Sequence, residues 1–272
     1  MNIQEIVSIL TSAGIEENEA NTEVKMLIEH FCNYGVKDII MGRPLDYEKL
    51  KIVKQMAERR AKTREPIQYI IGKAYFMGNY YKVTPDVLIP RDETEIVVKH
   101  ALRIIEENRF KTVLDIGTGS GCIACSVCQY GKVDVTAVDV SEKALDVAKE
   151  NAKRLMSDIR FLKSDLFSGL QNEKFDLIIS NPPYIPVNTE LQKEVQFEPK
   201  GALFTSETTG CEFYKKIIEQ GGKYLNEGGV IVFELGINQS DIVKEYFEQN
   251  GFTKIHIEKD LAGIDRAISA VL

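Results

Sequence analysis

The sequence predicts an α/β protein, a doubly wound parallel sheet preceded by a small helical segment. Three observations predict it. From Thr112 onward, strand-like runs alternate with helical ones, the pattern of a doubly wound sheet. The first of those strands leads into Asp115-x-Gly117-x-Gly119-x-Gly121 and then a helix, a turn where backbone can approach a ligand closely. Before about residue 72, apolar residues recur at helical spacing. A chain of 272 residues holds one core domain and a smaller partner without disulfide or metal staples.

The elements run in order along the chain. Ile3, Ile6, Val7 and Leu10 mark one face of a first helix, which Gly14 ends. Ala20, Val24, Leu27, Ile28 and Phe31 mark a second over 16–31. A third runs from about Asp46 to Lys62, with Leu50, Val53 and Ala57 inward and Asp46 as N-cap after Pro44. This helix is the one basic element. Residues 49–64 hold Lys49, Lys51, Lys54, Arg59, Arg60, Lys62 and Arg64 against Glu58 alone. It reads as a solvated face or as a docking surface for an acidic or RNA-bound partner. Residues 73–84 read as a β-hairpin with Gly78-Asn79 in the middle, linking the helical segment to the α/β part of the chain.

Strands are expected at 112–116, 133–138, 159–162, 175–180, 229–234, 252–257 and 266–271, and helices at 92–107, 121–130, 141–155, 211–224 and 238–249. No long helical segment separates the last two strands, so they can close the sheet as an antiparallel hairpin. The connection over 185–210 is long for a compact domain, and such loops are usually functional or mobile.

Composition narrows the class. Lys and Arg number 34 against 41 Asp and Glu, a formal charge of −7, which disfavours a protein that coats nucleic acid. Five cysteines, an odd number and mostly clustered, fit reduced thiols better than a secreted disulfide framework. The first basic residue is Lys25, so the start lacks the pattern of a secretory signal, and no run approaches the ~20 apolar residues of a membrane span. A soluble, cytoplasmic protein is expected.

The glycine loop fits two ligands. Gly119-Ser120-Gly121-Cys122-Ile123-Ala124 matches the G-x-G-x-x-A of dinucleotide sites, and S-adenosylmethionine sits at the same edge of a similar sheet. Asp139, at the next strand end, can accept both ribose hydroxyl protons of either ligand. Ser141 is the better cap for the next helix. Asp165, after the third strand, stands where adenine would reach.

The deciding segment is Phe175–Pro186. A continuous apolar strand ends in Asn181-Pro182-Pro183-Tyr184. Two prolines cannot continue a ladder and hold the turn rigid. The Pro182 carbonyl and the Asn181 side-chain carbonyl can together accept both hydrogens of one planar NH₂ group, with Tyr184 as a wall or a hydroxyl. Such a platform seizes an amide or exocyclic amine and aims its lone pair at an activated methyl sulfonium. Orientation alone can supply ~7–11 kcal/mol of such a barrier, and acceptors near nitrogen stabilise its growing positive charge.

On these residues the sequence resembles the bacterial release-factor glutamine methyltransferases, the HemK/PrmC family. The resemblance runs through R-E-P-I-Q-Y-I-I-G at 64–72, V-L-I-P-R-D-E-T-E at 87–95, V-L-D-I-G-T-G-S-G-C-I-A at 113–124 and S-D-L-F at 164–167. It continues in S-N-P-P-Y-I at 180–185, E-P-K-G-A-L-F at 198–204, E-L-G-I-N-Q at 234–239 and D-L-A-G-I-D-R at 260–266. It implies a substrate-docking helical domain over 1–72, a β-hairpin linker over 73–86, and a seven-stranded Rossmann-like class I methyltransferase domain over 87–272. The implied reaction is N5-methylation of the glutamine in the Gly-Gly-Gln motif of class 1 peptide chain release factors, with S-adenosylmethionine as donor and S-adenosylhomocysteine as product. Asp115, Gly117, Thr118, Gly119, Ser120, Gly121, Asp139, Asp165, Leu166 and Asn181 would bind the cofactor. Asn181, Pro182, Pro183 and Tyr184 would hold the glutamine, with Asn181, Pro182 and Tyr184 the catalytic group. The resemblance implies no metal, membrane or direct nucleic-acid partner. Two positions depart from the family pattern: Asp92 where Pro often follows the Arg, and Leu166 where some members carry an aromatic.

Weaker features point elsewhere or nowhere. Cys122, Cys125 and Cys128 share about 120° of one helix face and read as buried thiols rather than a metal site. His30, His100 and His256 carry no motif. Arg91, Glu93 and Glu95 stand at a helix start, where acids favour the dipole, and by the resemblance can also border the site. The alternative function is amino-methylation of adenine or guanine in DNA or RNA, which needs a cationic groove that only the helix at 49–64 could supply. An oxidoreductase rests on G-x-G-x-x-A alone.

Overall fold

A computed structural model describes residues 2–272; Met1, the first residue of the expected helical segment, lies outside them. The chain forms two compact units. One comprises residues up to Lys73 together with Leu191–Phe197, the other Ala74–Glu190 and Glu198–Leu272.

In the first unit, α1 (Ile3–Ser12), α2 (Glu17–Cys32), α3 (Val36–Ile40), α4 (Tyr47–Thr63) and α5 (Ile67–Ile71) succeed one another. Asn2 and Glu5 form a capping box on α1, and the Asp46 carboxylate caps α4 by accepting from the Glu48 amide at 2.9 Å. Ile6, Val7, Leu10, Ala20, Val24, Leu27, Ile28, Leu50, Val53 and Ala57 meet in its core. Ile3, the first residue of α1, does not join them and is exposed.

The basic helix is not a free cationic face. Arg60 is fully buried and pairs with Glu23 at 2.9 Å, Glu194 at 2.8 Å and Glu19 at 3.3 Å. Arg64 pairs with the same Glu194 at 2.6 Å, Arg59 with Glu65, Lys51 with Glu48 and Lys54 with Glu58. Most of its charge is answered within its own unit.

The second unit opens with the expected hairpin, β1 (Lys73–Phe76) and β2 (Asn79–Lys82). Its turn is Met77-Gly78 rather than Gly78-Asn79. Both residues have positive φ, at 45° and 81°, as a tight hairpin turn requires. Phe76 and Tyr81 are buried. The Asn151 side chain accepts from the Lys82 amide and donates to the Lys82 and Ser120 carbonyls at 2.7, 3.0 and 2.9 Å, which ties the hairpin to the glycine loop.

Then come α6 (Asp92–Asn108), β3 (Thr112–Ile116), α7 (Cys122–Gly131), β4 (Asp134–Asp139), α8 (Glu142–Leu155), β5 (Ile159–Lys163) and β6 (Phe175–Ser180). The long connection contains β7 (Ile185–Pro186), α9 (Lys200–Leu203) and β8 (Phe204–Thr205), and the chain ends with α10 (Glu212–Gly221), β9 (Leu225–Glu234), α11 (Ser240–Gln249), β10 (Thr253–Lys259) and β11 (Asp265–Val271). The seven-stranded sheet has the order β10-β11-β9-β6-β3-β4-β5. The last two strands pair antiparallel, as expected, and β11 also runs antiparallel to β9. The other neighbours are parallel. Successive residues of a strand point to opposite faces. Val113, Leu177, Ile179 and Val232 pack under α6 and α7, while Leu114, Ile178, Ile231 and Phe233 pack under α10 and α11. Burial on both faces explains why these strands read as unbroken apolar runs.

Candidate active site

In a doubly wound sheet the ligand crevice lies beyond the strand C-termini where the strand order reverses. Here the reversal falls between β3 and β6. β3 runs into the glycine loop, β4 ends at Asp139, β5 leads to Asp165, and β6 ends one residue before Asn181. These ends enclose a cavity of about 230 Å³ lined by Gly117–Ser120, Asp139, Asp165, Leu166 and Asn181–Pro183. Asp115, Gly121 and Tyr184 stand outside the lining.

The glycine loop is held by the sheet. The amides of Gly117 and Thr118 donate to the Val138 carbonyl at 2.8 and 3.0 Å, that of Gly119 to Asp139 Oδ2 at 2.9 Å, and that of Gly121 to Thr118 at 2.8 Å. Four of its five N–H groups are therefore committed to protein acceptors, which leaves little of the amide cradle a pyrophosphate needs. Gly121 is required twice over: its φ is +79°, and a Cβ there would stand 3.0 Å from that of Ala148 on α8.

Two carboxylates support the loop. Asp139 accepts the Gly119 amide through one oxygen and the Ser141 amide through the other, at 2.8 Å, while Ser141 caps α8. Burial holds the Asp139 pKa above the ordinary carboxylate value despite these donors. Asp115 lies fully buried beneath the loop. Its Oδ2 accepts the Thr118 hydroxyl at 2.7 Å, and its Oδ1 has no hydrogen-bond partner. Burial pushes its pKa up to about 7.

On the facing strand, the Ser180 hydroxyl donates to the Ile116 carbonyl at 2.7 Å and fixes where β6 ends. Pro182 is buried and Asn181 half-buried. The Tyr184 carbonyl accepts from Gln239 Nε2 at 3.0 Å, and its ring lies so close to Gly236 that a Cβ there would stand 2.9 Å from Cδ2. The Tyr184 hydroxyl donates to Glu234 Oε1 at 3.3 Å, and burial raises its pKa, so it stays protonated. Asn181 Nδ2 donates to the Thr94 hydroxyl at 3.4 Å, which donates to Glu234 Oε2 at 2.5 Å. Glu234 is buried, and desolvation pushes its pKa up to about 7.

Residues beyond the predicted set complete the walls. Val87, Leu88, Pro90, Arg91 and Thr94 line one side of the cavity, and Pro199, Gly201, Ala202 and Phe213 another. Buried Glu198 clasps two of these segments, accepting from the Ile89 amide at 2.9 Å and from the Arg91 guanidinium. The acids beside Arg91 have other work. Glu95 accepts the Met77 amide at 2.8 Å, and Glu93 approaches Arg266 at 3.6 Å. Spacing along the chain marks none of these pairings; the only signal was their place in the blocks at 87–95, 198–204 and 234–239.

Of the cysteines on α7, Cys122 lines the cavity, while Cys125 and Cys128 stand outside its lining. Burial pushes the Cys122 and Cys125 thiols up to about 12, so they are inert. His100 and His256, distant in sequence, stack at 5.2 Å on α6 and β10. No helix among the described residues is long and apolar enough to cross a membrane.

The family model described as the PrmC N-terminal domain matches residues 3–72, and the methyltransferase small domain matches 92–196. A release factor glutamine methyltransferase of Geobacter sulfurreducens is 42% identical, covering 95% of this chain and 91% of its own. One from Bordetella pertussis is also 42% identical, over 90% and 92%. Among solved structures, a methyltransferase from Pyrococcus furiosus superposes with a TM-score of 0.55 at 21% identity, covering 72% of this chain and 90% of its own, a likeness of fold.

Proposed function

The chain belongs to the release factor glutamine methyltransferases, and from that membership and the cavity we propose how it moves a methyl group onto the glutamine of a release factor. One observation carries the reading: the glycine loop and Asn181–Pro183 line the same cavity. A donor held by the first therefore meets an amide held by the second.

S-adenosylmethionine, when bound, supplies a methyl on a sulfonium that needs no further activation. The residues fit it. Asp139 keeps lone pairs beyond the two amides it accepts and can take both ribose hydroxyls. Asp165 and Leu166 line the cavity and would border the adenine. On the acceptor side, the Asn181 side-chain carbonyl and the Pro182 carbonyl receive the two hydrogens of the glutamine amide. No protein donor meets the Pro182 carbonyl among the described residues. The donor would supply the methyl and keep the S–C electron pair on sulfur, while Asn181 and Pro182 would hold the amide nitrogen facing it and its spent proton would pass to water. The two acceptors stabilise the positive charge that grows on nitrogen, and their rigid placement supplies orientation. With release factors as substrate, the enzyme works in the cytoplasm.

The nucleic-acid alternative loses its support, because the basic helix is paired within its own unit. The test is transfer of labelled methyl from S-adenosylmethionine to a purified release factor, to its Gln→Ala variant at Gly-Gly-Gln, and to bare RNA and DNA. Label on the wild-type factor alone is expected. Label on nucleic acid instead would overturn the reading.

A further inference from the structure

An asparagine can serve as an acceptor only if its amide is turned the right way. Its carbonyl and amino ends have almost the same shape, so packing alone does not choose between them. Hydrogen bonds must do so. We propose that Thr94 and Glu234 are positioning residues that fix the Asn181 amide with its carbonyl oxygen toward the cavity. The proposal rests on the reading that Asn181 accepts from the substrate amide.

The argument is a count of protons. An ionised carboxylate only accepts. Glu234 Oε2 takes the Thr94 hydroxyl proton at 2.5 Å. A hydroxyl has one proton, so Thr94, having given it, can only accept from Asn181. The end of Asn181 that faces Thr94 at 3.4 Å must then be its amino group, and its carbonyl must face away. With Glu234 ionised, direction passes from carboxylate to hydroxyl to amide.

The relay starts from a rigid anchor. Glu234 ends β9, where it pairs with Ala267 of β11, and its own carbonyl accepts the Tyr214 hydroxyl at 2.9 Å. Thr94 lies in the first turn of α6, and both side chains are 2% exposed. Glu234 Oε1 also takes the Tyr184 hydroxyl. One carboxylate thus registers both ends of Asn181-Pro182-Pro183-Tyr184, with the prolines stiffening the span between.

The experiment uses the full chain and a purified release factor. Thr94→Val keeps the shape and removes the relay. It is expected to lower kcat about 30-fold, with KM within about threefold and S-adenosylmethionine affinity and melting temperature unchanged. Thr94→Ser restores the hydroxyl and is expected to recover kcat to within about threefold. A loss confined to KM, wild-type turnover in Thr94→Val, or no recovery with Ser would overturn the proposal. Should Thr94→Val fold poorly, the Asn181 side-chain amide protons give a second reading by NMR. They are expected to be protected from exchange in the wild type and to lose protection in Glu234→Gln, whose own amide can donate to Thr94. Equal exchange in both would overturn the proposal. A wild-type enzyme that leaves the glutamine unmethylated would instead overturn the reading beneath it.

Discussion

The Thr94 hydroxyl donates to the Glu234 carboxylate across 2.5 Å and joins the first turn of α6 to the end of β9, 140 residues further along the chain. Through Thr94 and Tyr184, this bond ties the segment after β6 to the end of β9. Thr94, which meets Asn181, and Glu234, which meets Tyr184, belong to a helix and a strand, and sites built on such elements keep their geometry best.

Asn181→Ala removes one of two orienting acceptors and touches neither Asp139 nor the glycine loop. Methyl transfer is expected to fall at least about 100-fold, with S-adenosylmethionine affinity nearly intact. Turnover and calorimetry on the same preparation check both halves, and unchanged turnover would sink the platform.

Asp139→Ala removes the acceptor of the Gly119 and Ser141 amides, and with it the ribose contact proposed above. Cofactor affinity is expected to weaken by about 1.5–3 kcal/mol, the size of a lost charge-assisted bond. Calorimetry giving equal affinity would remove the assignment.

Asp115 gives stability a pH dependence of definite sign. Its folded pKa, about 7, lies above the ordinary 3.8 because the carboxyl is buried. Between those values the folded state holds a proton the unfolded state has lost, so its contribution is full below about pH 4 and fades as pH rises through 7. His100, lowered by burial to about 4, opposes it up to about pH 6.5. The comparison of wild type with Asp115→Asn isolates the effect. Their difference in unfolding free energy is expected to fall by about 1.4 kcal/mol per pH unit between pH 5 and 6.5, read by denaturant melts. A flat difference would refute the burial argument.

Arg60→Met leaves Glu23 buried without its cation, and is expected to cost about 3–5 kcal/mol of stability. Adding Glu23→Leu removes the stranded charge and is expected to return much of the loss. Equal melting of wild type and the single variant would show that the cluster contributes nothing.

The sheet was legible because its central strands are buried on both faces and its helices on one, so periodicity reported the layers directly. The loop and the Asn-Pro-Pro-Tyr segment were legible because each is a run of neighbours. Thr94, Glu198 and Glu234 were not, since each acquires its partner only when the sheet brings distant segments together. The basic helix misled in the same way: the acids that bury Arg60 come from α2 and from residue 194. The hairpin turn moved by one residue because Met77 takes a left-handed conformation that residue type alone does not suggest.

Leu191–Phe197 belongs with the helices, while the residues on either side of it belong with the sheet. The polypeptide therefore passes between its units three times, and no single cut frees one from the other. A deletion ending at residue 73 would strand Glu194 without Arg60 and Arg64. Grafting the helical part onto a relative therefore means exchanging two stretches of gene together.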